Sequence, residues 1–152
     1  MRQFLAFEVA DRRVALPAEA IQEVVRAVAI SRLPKAPPVV EGVINVRGTL
    51  VPALDIRARF RLPPEPLDPG QHLIIARAGS RTVALRVDRA VALVTVDEAA
   101  IAPGSVVPGA EHVAGIARLP DGVLVIHDLE RFLSLDEAGQ LDEAVVSGMR
   151  QP

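Results

Sequence analysis

Short runs of Val, Ile and Leu alternate with Gly and Pro punctuation along the chain, the spacing of an all-β domain with short helices. Gln3 to Val9 reads as a strand, Asp11-Arg12 as a turn, and Val14-Ala15-Leu16 as the returning strand. Three further hairpins follow the same logic. Glu41 to Val46 and Thr49 to Leu54 flank Arg47-Gly48, and Leu73 to Arg77 and Arg81 to Val87 flank Ala78-Gly79-Ser80. Gly115 to Leu119 and Val123 to His127 flank Pro120-Asp121-Gly122. The thirteen prolines fit loops, strand starts or edges, where a missing N–H costs nothing.

The pattern repeats. Val14-Ala15-Leu16 returns as Val83-Ala84-Leu85, a spacing of 69 (83 − 14) that also aligns Arg12 with Arg81 and Val25 with Val94. A second block returns at 73 (115 − 42): Gly42 with Gly115, Asp55 with Asp128, Val40 with Val113. Apolar positions between them correspond in kind, Val43 with Ile116 and Val51 with Leu124. Two copies of one unit are therefore expected, joined by the proline-rich stretch Leu62 to Gly70. Each copy supplies about five strands, enough for a small barrel. Two thin barrels sharing a third apolar layer would be more stable than either alone. The division expected within one domain of 152 residues is a first lobe of about 12–66 and a second of about 67–133, with strand 3–9 able to join the second.

Helix signals are few. Asp55 and Asp128 each follow an apolar strand and precede a short amphipathic pattern, so each is a structural cap at the same corner of its copy. Ser134-Leu135-Asp136-Glu137 is a capping box opening a helix over 134–148, with Leu135, Ala138, Leu141, Ala144 and Val145 on the face that docks.

Composition narrows the chemistry. Half the residues are hydrophobic but only 3% are aromatic, and Lys+Arg number 17 against 19 Asp+Glu. An acidic chain without Trp or Tyr is a poor match to nucleic acid, whose binders carry basic and stacking surfaces. With no cysteine there is no disulfide, thiol nucleophile or thiolate metal site. His72, His112 and His127 stand at no metal-ligand spacing, no hydroxyl sits in a G-x-S-x-G setting, and no phosphate loop precedes a helix. The expectation is no catalytic residue, metal or cofactor, no membrane span, and a cytoplasmic location.

Two residues resist a purely structural account. Arg47 lies at the tip of the Gly42-Val43-Ile44-Asn45-Val46-Arg47-Gly48 hairpin, where the second copy has an ordinary turn. A solvated turn residue and a recognition arginine fit it equally from the residues alone. Glu23 shares a strand face with Ile21 and Val25, as an edge guard or as part of a polar contact.

Taken in order, Val14-Ala15-Leu16-Pro17, Ile21-Gln22-Glu23-Val24, Leu33-Pro34-Lys35-Ala36-Pro37, the Gly42 to Gly48 segment, Val51-Pro52-Ala53-Leu54-Asp55-Ile56-Arg57 and Val87-Asp88 resemble the CheW-like chemotaxis coupling proteins. The resemblance runs from about Phe4 to Leu133, with Val46 where Leu is commoner. It implies two SH3-like five-stranded barrels packed side by side. It also implies a non-catalytic adaptor bridging a chemoreceptor's cytoplasmic tip and the regulatory domain of the histidine kinase CheA. Related members serve twitching motility or gene regulation. The receptor would lie in an apolar groove between lobes and the kinase at the barrel ends. Carried over by position, Arg47, Glu23, Ile21, Gly42, Gly48 and Leu93 fall on partner-contact positions, whereas Asp55, Asp88 and Asp128 are expected to be structural.

Overall fold

The computed structural model describes residues 1–104, 113–129, 139–142 and 144. Eleven strands are described: β1 (Arg2–Val9), β2 (Arg12–Pro17), β3 (Ile21–Arg26), β4 (Val40–Val46), β5 (Thr49–Asp55), β6 (His72–Ala78), β7 (Arg81–Val87), β8 (Arg89–Val96), β9 (Ile101–Pro103), β10 (Val113–Leu119) and β11 (Gly122–His127). One helical turn, α1 (Ile56–Arg59), follows β5. All four expected hairpins form, with the first turn at Ala10-Asp11, one residue earlier than the sequence suggests.

The strands make two curled sheets, β8-β1-β2-β11-β10-β9 and β3-β6-β7-β5-β4. The repeat is visible in the register. Leu5 pairs with Leu16 and Leu93 in one sheet, and Ile74, 69 residues later (74 − 5), pairs with Leu85 and Val24 in the other. The parallel pairs β2–β11 and β7–β5 correspond in the same way, Ala15 with Ile126 and Ala84 with Ala53. Even the irregularities recur: the ladder slips between Ile21 and Glu23 on β3, and opposite Ala90 and Ala92 on β8.

The expected split into lobes of 12–66 and 67–133 is not how the strands are shared. Strand β1 joins the sheet built from β8–β11, as strand 3–9 was expected to be able to do, but β2 lies there with it, and the β6–β7 hairpin of the second copy lies with β3–β5. A duplicated pattern offers each hairpin the same pairing edge in either copy, so the repeat alone leaves this choice open. A 3-10 turn at Ala18–Ala20 after Pro17 carries the chain from one sheet to the other, and Asp88 marks the second crossing.

Alternation explains why the exchanged hairpins sit at the centre. On β1, Phe4 and Ala6 point into the core of their own sheet with Ala15, Val96, Ala117, Leu124 and Ile126. Leu5, Phe7 and Val9 point the other way, into a layer shared with Val14, Leu16, Leu54, Ile56, Ile74, Val83, Leu85 and Val87. Leu73, Ile75 and Ala84 fill the second sheet's own core with Ile44, Val51 and Ala53. Strands buried on both faces read as continuous apolar runs, as these do. Leu141 and Ala144 are fully buried, Leu141 in the shared layer, so this part of the expected C-terminal stripe docks. Leu135, Ala138 and Val145 lie outside the described residues.

Candidate functional site

The hairpin joining β4 and β5 turns through two residues, with φ of 51° at Arg47 and 86° at Gly48. Two left-handed residues in a two-residue loop make a type I′ turn, whose twist matches the strands it joins. The Asn45 side-chain oxygen accepts the Gly48 N–H at 2.7 Å and braces the turn. Nothing lies within 4 Å of where a Gly48 side chain would begin, so glycine stands there for its backbone angle. The second copy has Pro120-Asp121 at this tip, and proline's fixed negative φ excludes the same turn.

Arg47 and Glu23 meet. Arg47 Nη2 donates to Glu23 Oε2 at 2.5 Å, with the arginine side chain 79% exposed and the glutamate 23%. Their strands stand at opposite ends of the five-strand order, so curling of the sheet brings its two edges together at this pair. A short bridge between Ser31 and Val43 fastens the same seam. Gly42 sits there too: a β-carbon at this position would fall 2.0 Å from the Ser31 carbonyl oxygen, so the seam closes over a bare backbone. Ile21 is half-buried against the shared core, at the start of β3.

Leu93 lies elsewhere, on edge strand β8 of the other sheet, and is 61% exposed. It occupies the position that corresponds to Val24, itself 39% exposed beside Glu23. Leu50 on β5 and Val123 on β11 are a second exposed pair related by the repeat. Sequence reading missed Val24, Leu50 and Val123: Val24 and Val123 lie out of phase with their strands' most buried positions, and Leu50 is exposed because it stands at the start of β5, next to the turn.

The three aspartates differ. Asp55 caps α1, its side chain accepting the Arg57 N–H at 3.0 Å. Asp88 accepts both hydrogen bonds from Arg57 Nη2, at 2.8 and 2.6 Å, and the Ala10 N–H at 2.6 Å, which ties both sheets to one carboxylate. Asp128 stands just after β11 where Asp55 is the last residue of β5, and the pattern it was expected to cap lies, beyond Leu129, outside the described residues.

Behind the seam is a buried charge network. Arg86 donates to both carboxylate oxygens of Glu41, to Gln71 and to the Glu65 carbonyl, with Asp55 at 3.8 Å. Burial pushes the Glu41 carboxyl above its ordinary pKa, Arg86 opposes that shift by hydrogen bonding and charge, and Asp55 adds to it. A cleft of about 700 Å³ opens over this network, lined by Ile30, Leu33, Pro38, Leu67, Glu41 and Arg86. The apolar surface between the sheets is itself filled by the shared core. A smaller groove where the sheets meet, about 270 Å³, is lined by polar as well as apolar groups, among them Arg2, Arg77 and His127. This smaller groove lies where the sequence places a groove between lobes.

An exposed ion pair on a braced turn, with aliphatic side chains left open on edge strands, suits contact with another protein. The CheW-like domain family model matches residues 3–137, and the chain belongs to that family. The chemotaxis protein CheW of Klebsiella aerogenes is 26% identical over 149 residues, covering 96% of this chain and 90% of that one. Protein FrzA of Myxococcus xanthus is 29% identical over 119 residues, 77% of this chain and 74% of its own. The crystal structure of the scaffolding protein TtCheW from Thermoanaerobacter tengcongensis superposes with a TM-score of 0.82 at 27% identity, covering 90% of this chain and 94% of that one. No helix among the described residues is long and apolar enough to cross a membrane.

Proposed function

We propose that this chain is the adaptor that couples chemoreceptors to the kinase CheA in chemotaxis signalling, working in the cytoplasm by contact and catalysing no reaction. Membership of the CheW-like family over residues 3–137 supports the role. The observation that carries the site is the Arg47–Glu23 pair. An ion pair this exposed adds roughly 0–1 kcal/mol to stability, too little to account for a strained, braced turn holding an arginine outward. Its planar fork, engaged through Nη2, offers further donors to a carboxylate on a partner helix. Val24 and Leu50 supply the apolar contact beside it, and Ile21, Gly42 and Gly48 set the shape of the seam. Leu93 serves a second contact on the other sheet. The partners are the receptor's cytoplasmic tip and the regulatory domain of CheA.

The test is capture of each partner fragment by the wild-type chain, Arg47→Ala and Arg47→Glu. Both variants should unfold within about 0.5 kcal/mol of wild type while losing tenfold or more in affinity for at least one partner. Unchanged affinity for both partners would remove Arg47 from the site.

A further inference from the structure

Four of the strand pairings join the two halves of the chain: β1 with β8, β2 with β11, β3 with β6, and β5 with β7. The pairings internal to the first half are the hairpins β1–β2 and β4–β5. Those internal to the second are β6–β7 and the β9–β10–β11 meander. Two-stranded hairpins are at best marginal alone in water. The shared apolar layer is divided the same way, Leu5, Phe7, Val9, Val14 and Leu16 from one half against Ile74, Val83, Leu85 and Val87 from the other.

Charges follow the same division. Arg57 with Asp88, Glu41 with Arg86, Glu8 with Arg89 and Arg13 with Asp121 each pair a residue before the linker with one after it. The linker itself, 62–70, forms no strand or helix.

We infer that the chain is two interlocking half-chains, 1–61 and 71–152, each the obligate folding partner of the other. The surface between them is then a recognition surface, and the complementary half of a second copy fits it as well as the half supplied by the same chain. The peptide linkage through 62–70 raises the effective concentration of the halves for each other and supplies little of the contact that holds them.

The experiment starts from the full chain carrying a protease recognition sequence between Pro63 and Pro64, folded and checked for wild-type unfolding before it is cut. Should that insertion disturb folding, the same sequence goes between Leu67 and Asp68. After cutting, the two pieces should elute together at the mass of the whole chain and unfold in one transition. Each tenfold dilution should lower the denaturation midpoint of the cut pair and leave that of the uncut chain unchanged, because only the cut pair dissociates on unfolding. Light and isotopically heavy cut preparations, mixed in denaturant and refolded, should give a statistical mixture of light–heavy pairs by native mass spectrometry. Separation or aggregation of the pieces under native conditions, a midpoint indifferent to dilution, or either piece unfolding cooperatively alone would overturn the inference.

Discussion

At the residue scale, backbone angles separate two alanine and glycine positions that look interchangeable in sequence. Ala10 holds φ of 56° at the turn between β1 and β2, and its counterpart in the repeat is Gly79 at 65°. An L-residue in that region costs roughly 1–2 kcal/mol, partly offset by the stiffer unfolded chain that alanine gives. Ala10→Gly should therefore stabilise the protein by about 0.5–1 kcal/mol, read from denaturant midpoints. Gly42 is the opposite case. Adding a methyl there drives it against the Ser31 carbonyl and forces the seam apart, so Gly42→Ala should cost about 2–3 kcal/mol. Partner binding lost in Gly42→Ala would follow from that damage, whereas Arg47→Ala leaves the seam standing. A Gly42→Ala protein as stable as wild type would mean that the seam is not closed as described.

At the element scale, the link between the sheets at their crossing point depends on Asp88. It receives α1 through Arg57 and the β1–β2 turn through the Ala10 N–H, while its own N–H reaches the Glu8 carbonyl at 2.9 Å. Arg57 is nearly buried, so removing its carboxylate leaves a guanidinium without a counter-charge. Asp88→Ala should cost about 2–3 kcal/mol and raise amide hydrogen exchange at the β1–β2 turn and α1 together. Exchange rising at one of these elements alone would show that Asp88 does not join them.

Hairpins were legible at this scale because turn chemistry and alternation are local. Asp55 as a helix cap was legible for the same reason. The Glu23–Arg47 pair was not: 24 residues separate the two, and only the curl of a five-stranded sheet brings its edges together. Each residue drew notice singly, as a carboxylate on an apolar strand and a cation on a tight turn, without any sign of the other.

At the scale of the whole molecule, the Glu41–Arg86 network gives stability a pH dependence with a definite sign. Burial raises the Glu41 pKa in the folded state, so the native protein holds this proton more tightly than the unfolded chain does. The stabilisation from that protonation is complete below the unfolded value, about pH 4. It is lost as pH rises through the higher folded value. Glu41→Gln removes the titration, so the stability of wild type relative to this variant should fall as pH rises from the acid side toward neutrality. Urea unfolding of both proteins across that range measures it, and a difference that grows with pH would reverse the assignment.

The hairpins, the duplication, the shared apolar layer and the family can be read from the order of the residues, because each is written in local periodicity or in motifs that keep their spacing. Tertiary structure alone decided which copy each hairpin joins, since two like edges compete for it and only the path of the chain through Pro17 and Asp88 selects one. It also decided which charges meet. Ion pairs such as Arg57–Asp88 and Arg86–Glu41 depend on distances across the folded sheets, and nothing in the linear order of the residues records those distances.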